Sequence, residues 1–464
     1  MFKKNLPLKN FLKEFPEYHE TAVLDKLRKT DFKRLDNTKH VYLDYTGGNL
    51  YAESLVNVHH EALKKEVYGN PHSTNPSSQR STKLVEDSRA YVLEYFNAGD
   101  DYFCIFTPNA SGALKIVGEC YPFDKDAFLL LSLDNHNSVN GIREFAKRKG
   151  AQFKYTPLED NSLFLDGVEL RKNLENNNSK KNKLFAYPAQ SNVSGIKHPM
   201  EYVKFAKGMG WDVLLDTAAF VPSDRLNLKE VQPDFAVVSF YKIFGYPTGL
   251  GCLLMKKTAF NKMVKPWYAG GTISLSAVTF DAHYLMPNHE RFEDGTVNYL
   301  DIPAIKNGLQ YVEKIGIDVI KKRVKSISGW LLKSLNQLKH SSGQPLVKIF
   351  GAHNMENRGG TLVMNFYDKD GKLYPFSFIE SEANKRNISI RTGCFCNPGL
   401  DETNNNISHK DLQSYFGAHE EGDFYHMIDF IGKLRGSVRI SIGLATNFKD
   451  VHAFYNFAAD FIDK

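Results

Sequence analysis

Short apolar runs alternate with stretches of helical periodicity from about residue 60 to residue 310. This alternation is typical of βαβ units and predicts an α/β fold built on a mostly parallel sheet. The strand-like runs are 102–106, 127–131, 183–187, 211–216, 234–239 and 252–255. Most of their residues are apolar, as expected of strands that are buried on both faces.

The pattern changes after Pro303. A helical segment at 304–316 and a basic helix that continues to Lys339 come first, and strand-like runs return at 346–350 and 360–365. We therefore expect a large domain at 61–310, a smaller α+β domain at 311–464, and a segment 1–60 that packs with the small domain. Two Asn- and Lys-rich stretches, 175–183 and 401–410, are predicted to be exposed loops.

Composition narrows the class of protein. The 464 residues are 42% hydrophobic and 24% charged, as in a soluble globular protein. The net charge of +6 is spread along the chain and predicts no nucleic-acid partner. Five cysteines do not suggest a disulfide framework and fit a reducing compartment. Because the start has no continuous apolar segment and no run reaches bilayer length, we expect a cytoplasmic protein without a membrane partner.

Two neighbouring strand-like runs lead into groups that carry chemistry. Asp216 closes the run 211–216, and Lys242 follows the run 234–239. The carboxyl ends of parallel strands meet at one edge of a sheet, and pyridoxal phosphate enzymes require this pair of groups there. The lysine forms an imine with the cofactor aldehyde, and the aspartate keeps the pyridine nitrogen protonated.

The alternative is that both groups are ordinary solvated strand ends. A crowded turn after the lysine favours the cofactor, since it brings the backbone close to a ligand. That turn contains Gly245, Pro247, Gly249 and Gly251.

Polar residues follow three further strand-like runs. Thr107 and Ser111 come after 102–106 and open a helix, where backbone N–H groups can meet a phosphate. His136 follows 127–131 and could lie on the pyridine ring, and Asn192 follows 183–187 and could meet the ring hydroxyl. Each of them alone has an ordinary explanation, as a helix cap or a structural loop residue. As a series at successive strand ends, they predict one pocket at the carboxyl edge of the sheet.

Cys394 and Cys396 form a second chemical feature. They are separated by one residue in a turn with several glycines and a proline, and Arg391 is nearby in sequence. This setting is typical of a reactive thiol rather than a core cysteine, because a neighbouring positive charge favours the thiolate. A metal site is the alternative and would need more ligands. The other cysteines, at 104, 120 and 252, lie in or beside apolar runs and are predicted to be buried.

The order of these motifs resembles that of the class V aminotransferase superfamily, and within it the cysteine desulfurase group of fold type I pyridoxal phosphate enzymes. The segment 391–399, Arg-Thr-Gly-Cys-Phe-Cys-Asn-Pro-Gly, is most similar to the desulfurase domain of the molybdenum cofactor sulfurases. Further matching segments lie at 42–45, 69–73, 291–296 and 436–441. The resemblance implies a large domain with a mostly parallel seven-stranded sheet flanked by helices, a smaller α+β C-terminal domain, and a homodimer.

The resemblance also implies roles for individual residues. The expected catalytic residues are Lys242, Cys396, Asp216 and His136. The expected contacts to pyridoxal 5′-phosphate are Ala110, Ser111, His136, Asn192, Asp216, Ser239, Tyr241, Lys242 and, across a dimer interface, Thr272. The expected substrate contacts are Arg439, Asn192 and Arg391, with the Arg439 guanidinium suited to a carboxylate. Two positions depart from the family pattern. Tyr241 replaces a histidine, and Ala219 replaces a glutamine that supports the ring hydroxyl, which leaves that contact to Asn192.

The implied reaction takes sulfur from L-cysteine and yields alanine and a persulfide on Cys396, with Cys394 as a neighbour that could resolve or protect it. The sulfur acceptor, a protein or a cofactor, stays open. The same pocket could instead support C–S lysis, aminotransfer, racemisation or selenocysteine lysis, with the two thiols only structural. A catalytically silent scaffold is a further alternative. Ser239-x-x-Lys242 also fits a serine-nucleophile motif, which is disfavoured because its companion tripeptides do not occur here.

Overall fold

A computed structural model describes residues 6–464. Residues 1–5, the start of the expected segment 1–60 and of the N-terminal stretch predicted to lack a signal peptide, lie outside the described residues. The strands are β1 Val41–Tyr42, β2 Tyr102–Thr107, β3 Ala127–Ser132, β4 Gln152–Thr156, β5 Asn182–Pro188, β6 Asp212–Asp216, β7 Phe235–Ser239, β8 Gly251–Lys256, β9 Ile273–Ala277, β10 Ala282–Leu285, β11 Val347–Ile349, β12 Thr361–Phe366, β13 Ile388–Ser389, β14 Arg391–Gly393 and β15 Ser437–Ser441.

Helices occupy much of the remaining chain. They are α1 Leu6–Glu14, α2 Ala22–Thr30, α3 Lys33–Asn37, α4 Glu53–Lys65, α5 Pro76–Tyr95, α6 Ala110–Cys120, α7 Asn137–Asn140, α8 Ile142–Arg148, α9 Gly167–Asn176, α10 Glu201–Gly208, α11 Leu228–Val231, α12 Tyr241–Phe244, α13 Lys257–Phe260, α14 Ile302–Ile315, α15 Ile317–Asn336, α16 Phe376–Asn384, α17 Pro398–Asn404, α18 His409–Ala418, α19 Phe424–Ile431 and α20 Phe448–Ala459. Short 3₁₀ turns lie at Pro16–Thr21, Gly99–Asp101, Gly270–Thr272 and His289–Phe292.

A seven-stranded sheet forms the centre of the fold, and its strand order is β2-β8-β7-β6-β5-β3-β4. Strands β3 to β7 pair in parallel, and β8 runs antiparallel to both of its neighbours. The predicted α/β fold with a mostly parallel seven-stranded sheet is therefore confirmed. The carboxyl ends of β2, β3, β5, β6 and β7 consequently lie at one edge of the sheet.

Alternate residues of the central strands pack on opposite faces of this sheet. In β3, Phe128 and Leu130 belong to one apolar core, whereas Leu129 and Leu131 belong to another. This is the period-two geometry of a strand that is covered on both sides. Helices α6 and α8 pack against each other in contact with the sheet. The near-continuous apolar runs in the sequence are thus explained by burial on both faces.

A four-stranded antiparallel sheet with the order β11-β12-β15-β14 forms a second layer with α15, α16 and α20. The N-terminal segment packs against this part of the chain. Arg323 on α15 donates to Thr21 Oγ1 at 2.7 Å and to the Asp25 carboxylate at 2.9 Å. Strand β1 pairs in parallel with β13, and the backbone of Asp44 forms an isolated parallel β-bridge with that of Ser441. The domain boundaries at 60/61 and 310/311 stay predictions.

The prediction of an exposed loop at 401–410 is wrong at both ends, since residues 401–404 are helical and α18 begins at His409. Helix α17 covers Pro398–Asn404, and within it Asp401 is buried. The Asp401 carboxylate accepts hydrogen bonds from Arg435 Nε at 2.8 Å and from the Gly436 amide at 2.7 Å. The polar composition therefore reflects a buried ion pair as well as solvent exposure. The other expected loop, 175–183, is also wrong at its ends, because residues 175–176 belong to α9 and residues 182–183 to β5. Lys183 is buried and donates to Asn178 and to the Met209 carbonyl. Within residues 6–464, no helix is both long enough and apolar enough to cross a bilayer.

Candidate active site

A cavity of about 160 Å³ opens at the carboxyl edge of the central sheet. Most of the predicted site residues line it: Ala110, Ser111, His136, Asn192, Asp216, Ser239, Tyr241 and Lys242. Asn109, Ser138, Gln190, Ala218 and Ala219 also contribute to its walls. The series of polar strand ends that the sequence suggested therefore converges on one pocket, except for Thr107, which lines a different cavity. Thr272, Arg391, Arg439 and Cys396 are outside this lining.

Lys242 lies in the single turn of α12, directly after β7, and the N-terminal segment covers this turn. The Asn49 side-chain amide donates to the Ile243 carbonyl at 2.6 Å. Gly245 has a φ of +82°, and a Cβ there would lie 2.4 Å from the Leu50 carbonyl carbon, so the turn admits no larger residue at this position. The N-terminal segment thereby holds the backbone of the turn that carries Lys242.

Burial is the main cause that lowers the pKa of the Lys242 amine. The carboxylates of Asp216 and Asp44 oppose this shift, whereas the guanidinium groups of Arg439 and Arg391 add to it. A lowered pKa increases the fraction of neutral amine near pH 7, and the neutral amine is the form that attacks a carbonyl carbon. Lys242 thus has the electrostatic setting of a nucleophilic lysine.

The N-terminus of α6 faces the same cavity. Asn109 caps this helix by accepting a hydrogen bond from the Gly112 amide at 3.0 Å. Ser239 Oγ accepts from the Ala110 amide at 2.9 Å, and the hydroxyls of Ser111 and Ser138 lie 2.6 Å apart. A helix N-terminus surrounded by hydroxyl donors is suited to an anion such as a phosphate group. Ser138 belongs to this group although the sequence interpretation did not assign it a role.

His136 is held in one orientation beside the cavity. Its Nδ1 accepts a hydrogen bond from the Ser138 backbone N–H at 3.1 Å, so this nitrogen carries no proton. Burial lowers the pKa of the imidazole, with Lys242 and Arg439 acting in the same direction and Asp216 against it. The ring is therefore neutral near pH 7 with its proton on Nε2, a form that can stack on an aromatic cofactor without adding charge.

Asn192 lines the cavity, but its side-chain amide also contacts the cysteine turn. Nδ2 donates to the Phe395 carbonyl at 2.9 Å, and Oδ1 accepts from Asn397 Nδ2 at 3.0 Å.

Gln190 is a further residue of the site that the sequence did not predict. Gln190 is 3% exposed and lines the cavity, and its Oε1 has no hydrogen-bond partner within residues 6–464. Its position in the sequence could have identified it, because Gln190 is a second side-chain amide after the strand-like run 183–187, two residues before Asn192.

Residues 393–399, the cysteine loop, lie beside this pocket. Cys396 is exposed and Cys394 is half-buried, and burial raises the pKa of the Cys394 thiol. The carbonyl of Cys396 accepts a hydrogen bond from the Asn137 amide at 2.6 Å, which ties the loop to the segment that carries His136. Cys104, Cys120 and Cys252 are buried, as predicted. In the described part of the chain, no group of three or more His, Cys, Asp or Glu residues could hold a metal ion.

The two predicted substrate arginines meet at a carboxylate that the sequence interpretation did not assign. Arg439 Nη2 donates to Asp44 Oδ1 at 2.8 Å, and Arg391 Nη2 donates to Asp44 Oδ2 at 2.6 Å. Arg439 is 3% exposed and also donates to the Asn192 carbonyl at 2.9 Å. Its Nε is buried and has no partner among the described residues. Arg439 therefore keeps one donor for a ligand, whereas the half-exposed Arg391 is engaged with Asp44.

Thr272 does not reach the cavity of its own chain. It is fully buried in the turn Gly270–Thr272, where its hydroxyl accepts a hydrogen bond from the Ala269 amide at 2.9 Å. The hairpin β9–β10 that follows is largely exposed, with Val278 99% and Phe280 73% accessible. A contribution of Thr272 to a phosphate site would require a second chain.

Comparisons with known proteins agree with this geometry. Residues 41–454 match the family model for Aminotransferase class-V. The chain is 36% identical to the molybdenum cofactor sulfurase of Arabidopsis thaliana, over 96% of this chain and 60% of the relative. It is 35% identical to that of Homo sapiens, over 94% of this chain and 51% of the relative. The chain thus spans little more than half the length of these curated relatives.

Solved structures share the fold. An apo structure of a cysteine desulfurase from Thermococcus onnurineus NA1 superposes with a TM-score of 0.78 at 23% identity, covering 94% of this chain and 98% of that chain. A complex of the cystine C-S lyase C-DES with its reaction product, cysteine persulfide, superposes with a TM-score of 0.69 at 16% identity, covering 93% and 100%. At these identities, the superpositions establish the fold alone.

The charges around Lys242 predict how its titration responds to substitution. Asp216→Asn should lower the pKa of the Lys242 amine further, because it removes a stabilising negative charge. Arg439→Gln should raise it, because it removes a repelling positive charge. The measurement is the pH dependence of Lys242 acetylation in cofactor-free protein, followed by peptide mass spectrometry. Asp370→Asn, a change at an exposed turn, should leave the profile unchanged. Shifts of the opposite sign would contradict the electrostatic assignment.

Proposed function

The chain belongs to the class V aminotransferase family, and we propose that it binds pyridoxal 5′-phosphate and transfers sulfur from L-cysteine to its own Cys396. One observation carries this proposal. A lysine amine of lowered pKa and an aspartate line one cavity, and a loop with an exposed thiol is hydrogen-bonded to the strand end that carries the neighbouring histidine. The proposed reaction converts L-cysteine and the Cys396 thiol into alanine and a Cys396 persulfide, so that atoms and electrons balance.

The donor set of the cavity fits the cofactor. The N-terminus of α6 and the hydroxyls of Ser111 and Ser239 would hold the phosphate, with Tyr241 at the same wall. Asp216 would hold the pyridine nitrogen, and Lys242 would hold the aldehyde carbon. When bound, this group supplies an electron sink that stabilises negative charge at the substrate Cα. His136 would cover one face of its ring.

Gln190 and Asn192 would share the contact to the ring hydroxyl. Ala219 stands where related enzymes carry a glutamine and has no polar side-chain group to offer. Gln190 lines the cavity, its Nε2 donates to the Ala219 carbonyl at 2.9 Å, and its buried Oε1 has no partner among residues 6–464. An unpartnered buried acceptor is costly unless a ligand supplies a donor, which supports this role.

Arg439 would bind the carboxylate of L-cysteine. Its free Nε and its position between Asn192 and Asp44 support this role, since Asp44 fixes the guanidinium plane through Nη2. Arg391 would act through Asp44 by sharing the carboxylate. Once its amine is free, Lys242 would take up the proton from the substrate Cα, a task that its lowered pKa favours.

One observation favours a second function. Neither Cys394 nor Cys396 lines the cavity, so the pocket could instead release sulfur to solvent as a C–S lyase does. In that reaction the carbon product is pyruvate rather than alanine, and the loop thiols take no part. The cavity chemistry is common to both functions, and the fate of the sulfur separates them.

Incubation of the holoenzyme with L-cysteine decides between the two. The proposal predicts alanine and a mass increase of one sulfur atom on the peptide that contains Cys396, with both falling to background in Cys396→Ser because the acceptor thiol is gone. Cys394→Ser is the matched control and should retain alanine formation. Pyruvate in place of alanine, at equal rates in wild type and Cys396→Ser, would sink the desulfurase assignment in favour of the lyase.

We also propose a homodimer in which Thr272 of each chain completes the phosphate site of the other. The exposed apolar hairpin β9–β10, which directly follows Thr272, supports this assembly. Sedimentation velocity should give twice the chain mass, and Phe280→Glu should reduce it to the monomer. A monomeric wild type would contradict the proposal.

The cysteines support two further parts of the proposal. Free thiols at all five cysteines support a cytoplasmic location. The exposure of Cys396 supports delivery of sulfur to a further acceptor, a protein or a cofactor.

A further inference from the structure

The cysteine loop holds an unusual backbone conformation. Phe395 and Cys396 follow one another in the left-handed region, with φ values of 57° and 53°. This region is unfavourable for residues that carry a Cβ, and consecutive residues adopt it only where surrounding contacts hold them there. The position of the Cys396 thiol therefore depends on groups outside the two residues themselves.

Contacts from the pocket side hold both carbonyls of this turn. The Asn137 amide donates to the Cys396 carbonyl at 2.6 Å, and Asn192 Nδ2 donates to the Phe395 carbonyl at 2.9 Å. The guanidinium of Arg439 lies over the Phe395 ring, 5.0 Å from its centroid. The same residues that line or border the cavity thus also orient the turn.

Asn397, the next residue, connects these contacts. Its side chain is fully buried, and its Nδ2 donates to the Asp134 carbonyl at 2.6 Å and to Asn192 Oδ1 at 3.0 Å. Its Oδ1 accepts from the Leu400 amide at 3.3 Å and so caps α17. One side chain therefore joins the segment after β3, the Asn192 amide and the helix that follows the thiols.

We propose that Asn397 is a positioning residue for the Cys396 thiol. Its amide donors fix the Asn192 side chain toward Phe395 and anchor the loop to the segment after β3, so that the left-handed turn persists beside the pocket. Asn397 is outside the cavity lining and acts through Asn192 and the loop backbone. The inference rests on the proposed sulfur transfer to Cys396 and names a residue that this transfer requires.

Asn397→Asp separates this role from simple helix capping. Aspartate is an equally good cap, so the bond from the Leu400 amide is retained. The donors to Asp134 and Asn192 are lost, and a carboxylate faces two oxygen acceptors instead. Asn227→Asp is the matched control, because Asn227 caps α11 by accepting from the Lys229 amide at 3.1 Å, away from the cavity and the cysteine loop. Asn397→Ser, another good cap without the amide, replaces the aspartate variant if that variant does not fold.

The test has two arms. In cofactor-free protein, hydrogen exchange by mass spectrometry should show faster exchange of amides at 393–399 in Asn397→Asp, by about tenfold for the loss of one to two hydrogen bonds, and no change in Asn227→Asp. In the holoenzyme, persulfide formation on Cys396 from L-cysteine should fall about tenfold on the same grounds. The absorbance change of the cofactor on adding L-cysteine should slow much less than persulfide formation, since Lys242 and Asp216 keep their places and only Asn192 loses a contact.

Unchanged loop exchange together with unchanged persulfide formation in Asn397→Asp would overturn the inference. A parallel loss of the absorbance change would also overturn it, because Asn397 would then support the whole pocket rather than the thiol. If wild-type protein forms no persulfide at all, the proposed sulfur transfer fails, whereas the exchange arm still decides whether Asn397 holds the loop.

Discussion

The electrostatic balance around one buried amine organises this structure. Two carboxylates, Asp216 and Asp44, and two guanidinium groups, Arg439 and Arg391, act on the charge of Lys242. Burial favours the neutral amine, the carboxylates oppose that preference, and the guanidinium groups add to it. An enclosed amine with a lowered pKa at the edge of a parallel sheet is a better nucleophile than an exposed lysine. The strand ends, the N-terminal segment and the small sheet each supply one part of this environment.

Asp44 shows how the layers depend on one another. It lies in the N-terminal segment just after β1, yet it binds Arg439 of β15 and Arg391 of β14 and lowers the cost of placing both cations near a lysine. Because Arg439 also donates to the Asn192 carbonyl, the small sheet is tied to the loop after β5. The cysteine loop begins at Gly393, the last residue of β14, so the thiols are carried by the same framework that positions the arginines.

The sequence was sufficient for features that depend on local pattern. The apolar runs predicted the central sheet, and the polar residues that followed them predicted the cavity, including Ser111, His136, Asp216 and Lys242. Contacts between segments that are distant in the sequence could not be predicted from local patterns. Nothing local marks Asp44 as the partner of two arginines, and the unpartnered Gln190 is recognisable only once the cavity walls are known.

One error had a recognisable signal. The pair Asn397-Pro398 is typical of a helix start, with a capping side chain followed by proline in the first turn. The prediction of a loop at 401–410 followed the polar composition of that stretch and not this helix-start signal. A buried acid such as Asp401, paired with Arg435, cannot be distinguished from a surface acid by composition. Polar residues with structural partners are thus the weakest point of sequence interpretation.

The central claim is that the Lys242 amine is the group that bonds covalently to the carbonyl carbon of pyridoxal 5′-phosphate. Reduction of the holoenzyme with borohydride, followed by proteolysis and peptide mass spectrometry, tests it most directly. The account predicts a reduced pyridoxyl adduct on the peptide that contains Lys242 and its absence in Lys242→Arg. An unmodified Lys242, or an adduct on another lysine in wild-type protein, would contradict it.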